Sequence, residues 1–237
     1  MRLDAYIFEK GFAQSRNKAS ELIKEGSVFV NGVSERKTSY AVEQSDRVFV
    51  KQISQYVSRS GLKLKGFLGE VFSLHVKDKS CLDIGSSTGG FVQVLLEEGA
   101  KSVTAVDVGS EQLHVSLRDN ERIKLFENTD IRAFKPEQTF DLVTCDVSFI
   151  GVSQLLPDID RLAHGQIIIL FKPQFEVGKD VKRTTKGVVK DGAAILRAQQ
   201  KFEAEAVKLN WNLIEKNESL LKGKEGNAET FYYFEKR

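Results

Sequence analysis

Residues 80–99 read SCLDIGSSTGGFVQVLLEEG. An apolar run ends at Ile84, a turn holding Gly85, Gly89 and Gly90 follows, and an apolar helical pattern opens at Phe91. Strand, glycine-rich turn and helix start in this order form the ligand-binding corner of an α/β sheet. The dinucleotide pattern G-x-G-x-x-G is not met, because Ser87 stands where its middle glycine would be. That glycine lets the backbone approach a pyrophosphate, so its loss points to a nucleoside ligand without phosphates. The sequence contains no Walker A loop either.

Outward from this corner, strand and helix patterns alternate. SVTAVDVG (102–109), IKLFEN (123–128), FDLVTCDVSF (140–149) and IIILFKP (167–173) read as strands. SEQLHVSLRD (110–119) and GAAILRAQQKFEAEAVKL (192–209) read as helices, and WNLIEKNES and TFYYFEKR close the chain as strands. The alternation predicts a parallel sheet with helices on both faces. The last two strands are joined without a helix, which predicts an antiparallel edge. Just before the sheet, Leu64, Phe67, Leu68, Val71 and Phe72 form one apolar helical stripe.

Residues 1–50 read as a separate small α+β module. LDAYIFEKG and SRNKASELIKEG are two short helices, the second with Ser15 as N-cap and Gly26 just past its end. VFVNGV carries an Asn31-Gly32 hairpin signal, and DRVFV supplies one more strand. Residues 51–60 read as a basic linker, and 61–237 as the large domain.

Composition bounds the function. A net charge of +2 means that a nucleic-acid partner must be met by local basic patches. Cys81 and Cys145 both lie in apolar strand patterns and read as buried thiols. Three scattered histidines offer no metal centre, so no metal is expected. No leader-like stretch opens the sequence and no apolar run approaches the ~20 residues of a membrane span, so a cytoplasmic protein off the membrane is expected.

In an open parallel sheet, ligands lie beyond the carboxyl ends of the strands. Asp83, Asp107, Asp146 and Lys172 all stand at such ends. Singly, Asp146 and Lys172 read as structural end-caps; beside a cofactor loop, they read as a reactive pair. Pro173 fixes the chain directly after the lysine. S-adenosyl-L-methionine is a nucleoside ligand that fits this corner. Its contacts are expected from Asp83, from the turn Gly85, Ser86, Ser87, Thr88, Gly89, Gly90 and Phe91, and from Asp107 and Val108 at the ribose. Asp130 and Ile131 are candidates at the adenine, with a helix N-cap an equal reading for Asp130. Lys172 in its neutral form would take a proton from a sugar hydroxyl. Burial and a neighbouring cation favour that form, and Asp146 favours the ammonium.

These motifs carry a resemblance that spans the chain. SRSGLKL, LDIGSSTGGF, VDVG, CDVSFI, FKPQFEVG and GNAETF together resemble the TlyA, or hemolysin A, family of ribosomal RNA 2′-O-methyltransferases. RLDAYIFEKGFAQSRNKASELIKEGSVFVNG resembles the S4-type RNA-binding domain. The large domain resembles the FtsJ-like methyltransferase fold, a Rossmann-like sheet. The resemblance implies a Lys-Asp-Lys-Glu tetrad at Lys63, Asp146, Lys172 and Glu229, with Lys172 as base. It departs from the family pattern at Ser60, at FVQ after Gly90 and at Thr230, which bears on substrate fit more than on chemistry.

Ribosomal RNA or a ribosomal subunit is then the expected partner; the oligomeric state is open, a monomer being the favoured reading. Arg2, Arg16, Lys18, Arg36 and Lys37 are the basic candidates of the small module; a solvated face is their plain alternative. Arg59 and the run GKDVKRTTKGVVKDG, with Lys179, Lys182, Arg183 and Lys186, are the candidates of the large domain, the run read as a mobile loop closing over RNA. The short termini resemble family members that modify a cytidine of the large-subunit RNA only. The competing readings are a ribosome-assembly factor without catalysis and a membrane-active hemolysin.

Overall fold

The computed structural model describes residues 1–13, 15–50, 56–71 and 73–236. Phe72 of the apolar stripe and the first half of the linker lie outside them. The chain divides into two compact units, 1–55 and 56–237.

In the first unit, α1 (Leu3–Glu9) and α2 (Arg16–Glu25) precede β1 (Val28–Val30), β2 (Val33–Ser34) and β3 (Val48–Val50). Ser15 caps α2 by accepting from the Lys18 amide, and Gly26 ends it in the left-handed conformation, φ 81°. Asn31 and Gly32 take φ of 52° and 83°, the two positive values that a tight hairpin turn requires. The sheet order is β2-β1-β3, all antiparallel. Leu3, Ile7, Ala19, Ile23, Val28 and Val30 form its core.

The second unit opens with α3 (Arg59–Glu70), β4 (Ser80–Ile84), α4 (Gly90–Glu97), β5 (Ser102–Val106), α5 (Val115–Arg118), β6 (Ile123–Phe126) and β7 (Phe140–Cys145). A 3₁₀ turn (Val152–Leu155) and α6 (Leu156–Leu162) lead into β8 (Ala163–Phe171). The chain closes with α7 (Pro173–Glu176), α8 (Gly192–Lys208), β9 (Trp211–Glu218) and β10 (Thr230–Lys236). The seven-stranded sheet runs β6-β5-β4-β7-β8-β10-β9. Its first five strands are mutually parallel, and β10 lies antiparallel to both β8 and β9. The antiparallel character of this edge follows the expectation, but the reversed strand is β10, slotted between β8 and the outermost β9.

Cys81 through Ile84 are buried on both faces, as a central parallel strand must be. One core layer, with Phe67, Phe91, Leu95 and Phe231, covers one face; the other, with Ile159, Phe202, Tyr232 and Phe234, covers the opposite face. Both cysteines are buried free thiols.

Four pieces differ from the sequence reading. The helix expected over 110–119 shrinks to Val115–Arg118, because the Glu127 carboxylate accepts from the amides of Glu111, Gln112 and Leu113 and holds them in a loop. The 3₁₀ turn with α6 was not foreseen, and β8 begins at Ala163, before the apolar run. α3 begins at Arg59, inside the stretch read as linker.

Candidate active site

From β4 the chain winds outward through β5 to β6 and then crosses back to place β7 on the other side of β4, so the strand order reverses between β4 and β7. Ligand clefts form at this switch point, beyond the carboxyl ends of the strands. A cavity of about 550 Å³ lies there. Gly85, Asp107, Val108, Asp130, Ile131 and Asp146 are among its walls, together with Ser87.

Asp83, one residue before the strand end, is 1% exposed. Its Oδ1 accepts from Thr144 Oγ1 of β7 at 2.7 Å, while Oδ2 has no partner among the described residues. Burial pushes this carboxyl up to about 7, the Thr144 hydroxyl opposes the rise, and the Asp146 and Asp107 charges add to it. Ser86 Oγ is another buried polar atom without a partner among the described residues. Asp107 accepts from the Ser87 amide at 2.8 Å and from the Gly109 amide at 2.7 Å, which ties the glycine turn to the next loop.

Several expected cofactor residues serve the scaffold. Phe91 is 2% exposed and packs on Phe231, ring centroids 6.1 Å apart, so it belongs to the core. Gly90 carries α4 against α3: a Cβ there would overlap the hydroxyls of Ser58 and Ser60 and stand 2.8 Å from the Gly61 amide nitrogen. Gly89, at φ 91°, is closed in by Leu113 and Leu117. Thr88 accepts from the His114 amide through its carbonyl. None of these four, nor Ser86, is among the cavity walls. Asp130 is bound by Arg132, whose Nε and Nη2 both donate to it, and the Arg132 side chain and amide hold its carboxyl down at about 2. It also accepts from the Arg132 amide and so shapes its own turn, but residues 131–133 form a turn and no helix, so the helix N-cap of the sequence reading is not formed.

Four charged side chains meet at the rim. Lys172, first residue after β8, places Nζ 2.6 Å from Asp146 Oδ1, first residue after β7. Lys63, on α3, places Nζ 2.6 Å from Glu229 Oε2, just before β10. All four are largely buried, and the charges of Lys172, Lys63 and Glu229 all act on Asp146. Burial raises the Asp146 carboxyl, and the ion pair with Lys172 works against that rise. Gly223 passes so close to Glu229 that a Cβ would stand 2.5 Å from Oε1.

Partners of these groups escaped the sequence reading. Lys172 Nζ also donates to Ser148 Oγ at 2.9 Å, and Gln174 Nε2 reaches Glu229 Oε1 at 3.4 Å. Phe149 lines the cavity, is 93% exposed and holds φ at 67°, in the left-handed region that a phenylalanine rarely occupies. A phenylalanine between Ser148 and Ile150 gives no signal of exposure; only the coordinates reveal it.

The basic candidates separate into two kinds. Arg183 spends both terminal nitrogens on the carbonyls of Gln174, Gly178, Lys179 and Val181, and its backbone bridges Val189, so it builds the loop. Asn227 secures the same loop by accepting from the Val189 amide at 3.0 Å. Arg36 donates to the Lys24 carbonyl at the end of α2. Arg2 and Arg16 both pair with the buried Asp4, Lys18 pairs with Glu21, and Arg59 donates to the Lys222 carbonyl. For the Lys37, Lys179, Lys182 and Lys186 amines no such tie is recorded among the described residues, and all four lie in loops.

The sequence matches known families over both units. Residues 56–236 match the FtsJ-like methyltransferase family and residues 1–48 match the S4 domain. The chain is 51% identical to the 23S rRNA (cytidine-2′-O)-methyltransferase TlyA of Campylobacter jejuni, with 99% of each chain covered. It is 39% identical to the 16S/23S rRNA (cytidine-2′-O)-methyltransferase TlyA of Mycobacterium tuberculosis, covering 98% of this chain and 88% of the other. A solved structure from Streptococcus thermophilus, provisionally named a hemolysin, superposes with a TM-score of 0.78 at 33% identity, over 100% of this chain and 88% of that one. By these matches the chain belongs to the TlyA family of rRNA cytidine-2′-O-methyltransferases, built from an S4 domain and an FtsJ-like methyltransferase domain.

Proposed function

We propose that this protein methylates the 2′-hydroxyl of a cytidine in 23S ribosomal RNA, with S-adenosyl-L-methionine as cofactor, in the cytoplasm. The observation that carries the reading is the pair of buried lysine–carboxylate contacts, Lys172–Asp146 and Lys63–Glu229, the first of which reaches a nucleoside-sized cavity through its Asp146 wall. The full-length identity to the Campylobacter jejuni enzyme supports the choice of substrate.

The cavity suits the cofactor. Its walls include Asp107, Asp130 and Asp146, one oxygen of the buried Asp83 has no partner among the described residues, and the ligand brings an ammonium and a sulfonium. Asp83 and the Gly85–Ser87 turn would hold its amino-acid end, and Asp107 its ribose. When bound, S-adenosylmethionine supplies an electrophilic methyl group.

The protein's own groups do the rest. Lys172 takes the proton of the 2′-hydroxyl as that oxygen gains the methyl, whose bond to the cofactor's sulfur breaks. Asp146 and Ser148 hold the amine in line and stabilise the ammonium it becomes. Lys63, fixed by Glu229, orients the hydroxyl. The exposed Phe149 ring offers a stacking face for a base turned out of its helix, because a 2′-hydroxyl within stacked RNA is hard to reach. The S4 unit docks on folded RNA, and the lysines of loops 178–190 meet phosphates beside the site.

The test is transfer of labelled methyl from S-adenosylmethionine to 23S rRNA and to isolated subunits, followed by mapping of alkali-resistant linkages. Lys172→Ala is expected to lower transfer by roughly 10²–10⁴-fold while RNA binding stays within about threefold of wild type. RNA binding with no transfer by the wild-type protein would favour an assembly factor instead.

A further inference from the structure

Residues 147–151 run from the end of β7 to the 3₁₀ turn. Val147, Ser148, Phe149 and Ile150 all line the cavity. This short stretch carries the hydroxyl that meets Lys172 and an exposed ring on a left-handed residue. A strained, outward-facing loop persists only when its surroundings hold it there.

Glu176 is the holder. One carboxylate oxygen accepts from the Val152 amide at 2.5 Å, and the other accepts from Ser153 Oγ at 2.8 Å. Gly151 makes room for this contact: a Cβ there would stand 3.0 Å from Glu176 Oε2 and 3.0 Å from the Phe175 carbonyl. The neighbouring Phe175 ring meets Phe149, centroids 5.7 Å apart. Glu176 is also the last residue of α7, whose N-cap is Lys172. One four-residue helix therefore has the amine at its head and the anchor of the facing loop at its foot.

We propose that Glu176 is a positioning residue for methyl transfer: by fastening the 3₁₀ turn to α7 it sets residues 147–151, and so holds Ser148 on Lys172 and closes the cavity wall. This rests on the methyltransferase reading above. Glu176 makes no recorded contact with the four rim residues; it acts through the loop. Removing the carboxylate leaves the Val152 amide and the Ser153 hydroxyl without their acceptor, and the loop is released at one end. Small displacements of reacting groups cost large factors in rate.

Glu176→Ala and Glu176→Gln are compared with wild type by three readouts: hydrogen exchange of segment 147–155 in cofactor-free protein, the thermal midpoint, and kcat and KM for transfer to 23S rRNA. The alanine variant is expected to speed exchange at the Val152 amide by about tenfold or more with β4 unchanged. It is expected to lower kcat roughly thirtyfold, with KM moving less than kcat. Glutamine keeps one acceptor oxygen, so it should fall between, about threefold down in kcat. Wild-type exchange and kcat in a folded alanine variant would overturn the proposal. So would a loss that merely tracks the fraction unfolded. If the alanine variant does not fold, the glutamine variant decides: faster exchange with reduced kcat supports the proposal, and wild-type values of both overturn it. Absence of transfer by wild type would instead sink the methyltransferase reading, and the exchange readout would still judge the tie.

Discussion

Lys63 and Glu229 are 166 positions apart in sequence, yet Lys63 Nζ donates to Glu229 Oε2 at 2.6 Å inside the protein. The pair fastens α3, which precedes the sheet, to the residue just before β10, the last strand in the chain.

That pair has a separable structural and chemical role. Glu229→Gln or Lys63→Ala leaves one buried charge without its counter-ion, which costs roughly 3–5 kcal/mol by the usual experience with broken buried pairs. The double variant Lys63→Met with Glu229→Leu is expected to regain most of that stability, because neither charge is left alone. Methyl transfer should stay abolished in the single and double variants alike. Denaturant unfolding together with transfer assays checks both halves. Recovery of activity in the double variant would deny the pair any part in the chemistry.

Asp83 makes stability depend on pH. Its carboxyl is raised to about 7 by burial, above its value of 3.8 in an unfolded chain. A raised folded-state value means stability that is complete below the unfolded value and drains away as pH climbs through the folded one. The contribution of Asp83 should thus fall between about pH 4 and pH 7, by up to about 4 kcal/mol at ~1.4 kcal/mol per unit. Asp83→Asn keeps the Thr144 hydrogen bond and carries no titratable group. The difference in stability between wild type and this variant, cofactor-free, should change across that window. A pH-independent difference would contradict the assignment.

Two glycines predict opposite outcomes for one substitution. Gly90→Ala forces a methyl group into Ser58, Ser60 and the Gly61 backbone, and should cost about 1–3 kcal/mol as α3 is pushed from α4. Because α3 carries Lys63, transfer should weaken with it. Gly69, also on α3, has open space where a Cβ would stand, so Gly69→Ala is expected to gain up to ~1 kcal/mol from helix propensity. Thermal midpoints moving in opposite directions would bear this out.

The basic loop offers a similar contrast. Lys182→Ala should weaken RNA binding and reduce the salt slope by about 1, the signature of one phosphate contact. Arg183→Ala removes donors from four loop carbonyls, so its main effect should be faster proteolysis and hydrogen exchange over 178–190. Equal salt-slope changes with equal loop protection would show that Arg183 meets phosphate directly.

The sequence by itself determined the secondary-structure order around the glycine turn, the parallel sheet and the strand ends that bear Asp83, Asp107, Asp146 and Lys172. These are local properties: apolar runs, glycine in tight turns, and the rule that strand ends share one rim. Lys63 and Glu229 were legible only through the family's motifs, since nothing near a helix lysine or a glutamate before a strand announces a partner 166 residues away. Tertiary structure alone decided that Gly90 and Phe91 serve packing, that Asp130 is spent on Arg132, that Arg183 folds its own loop, and that Glu176 braces the loop bearing Phe149. Each of these turns on which donor, acceptor or surface is left over once the chain has closed, and that is settled by the whole fold.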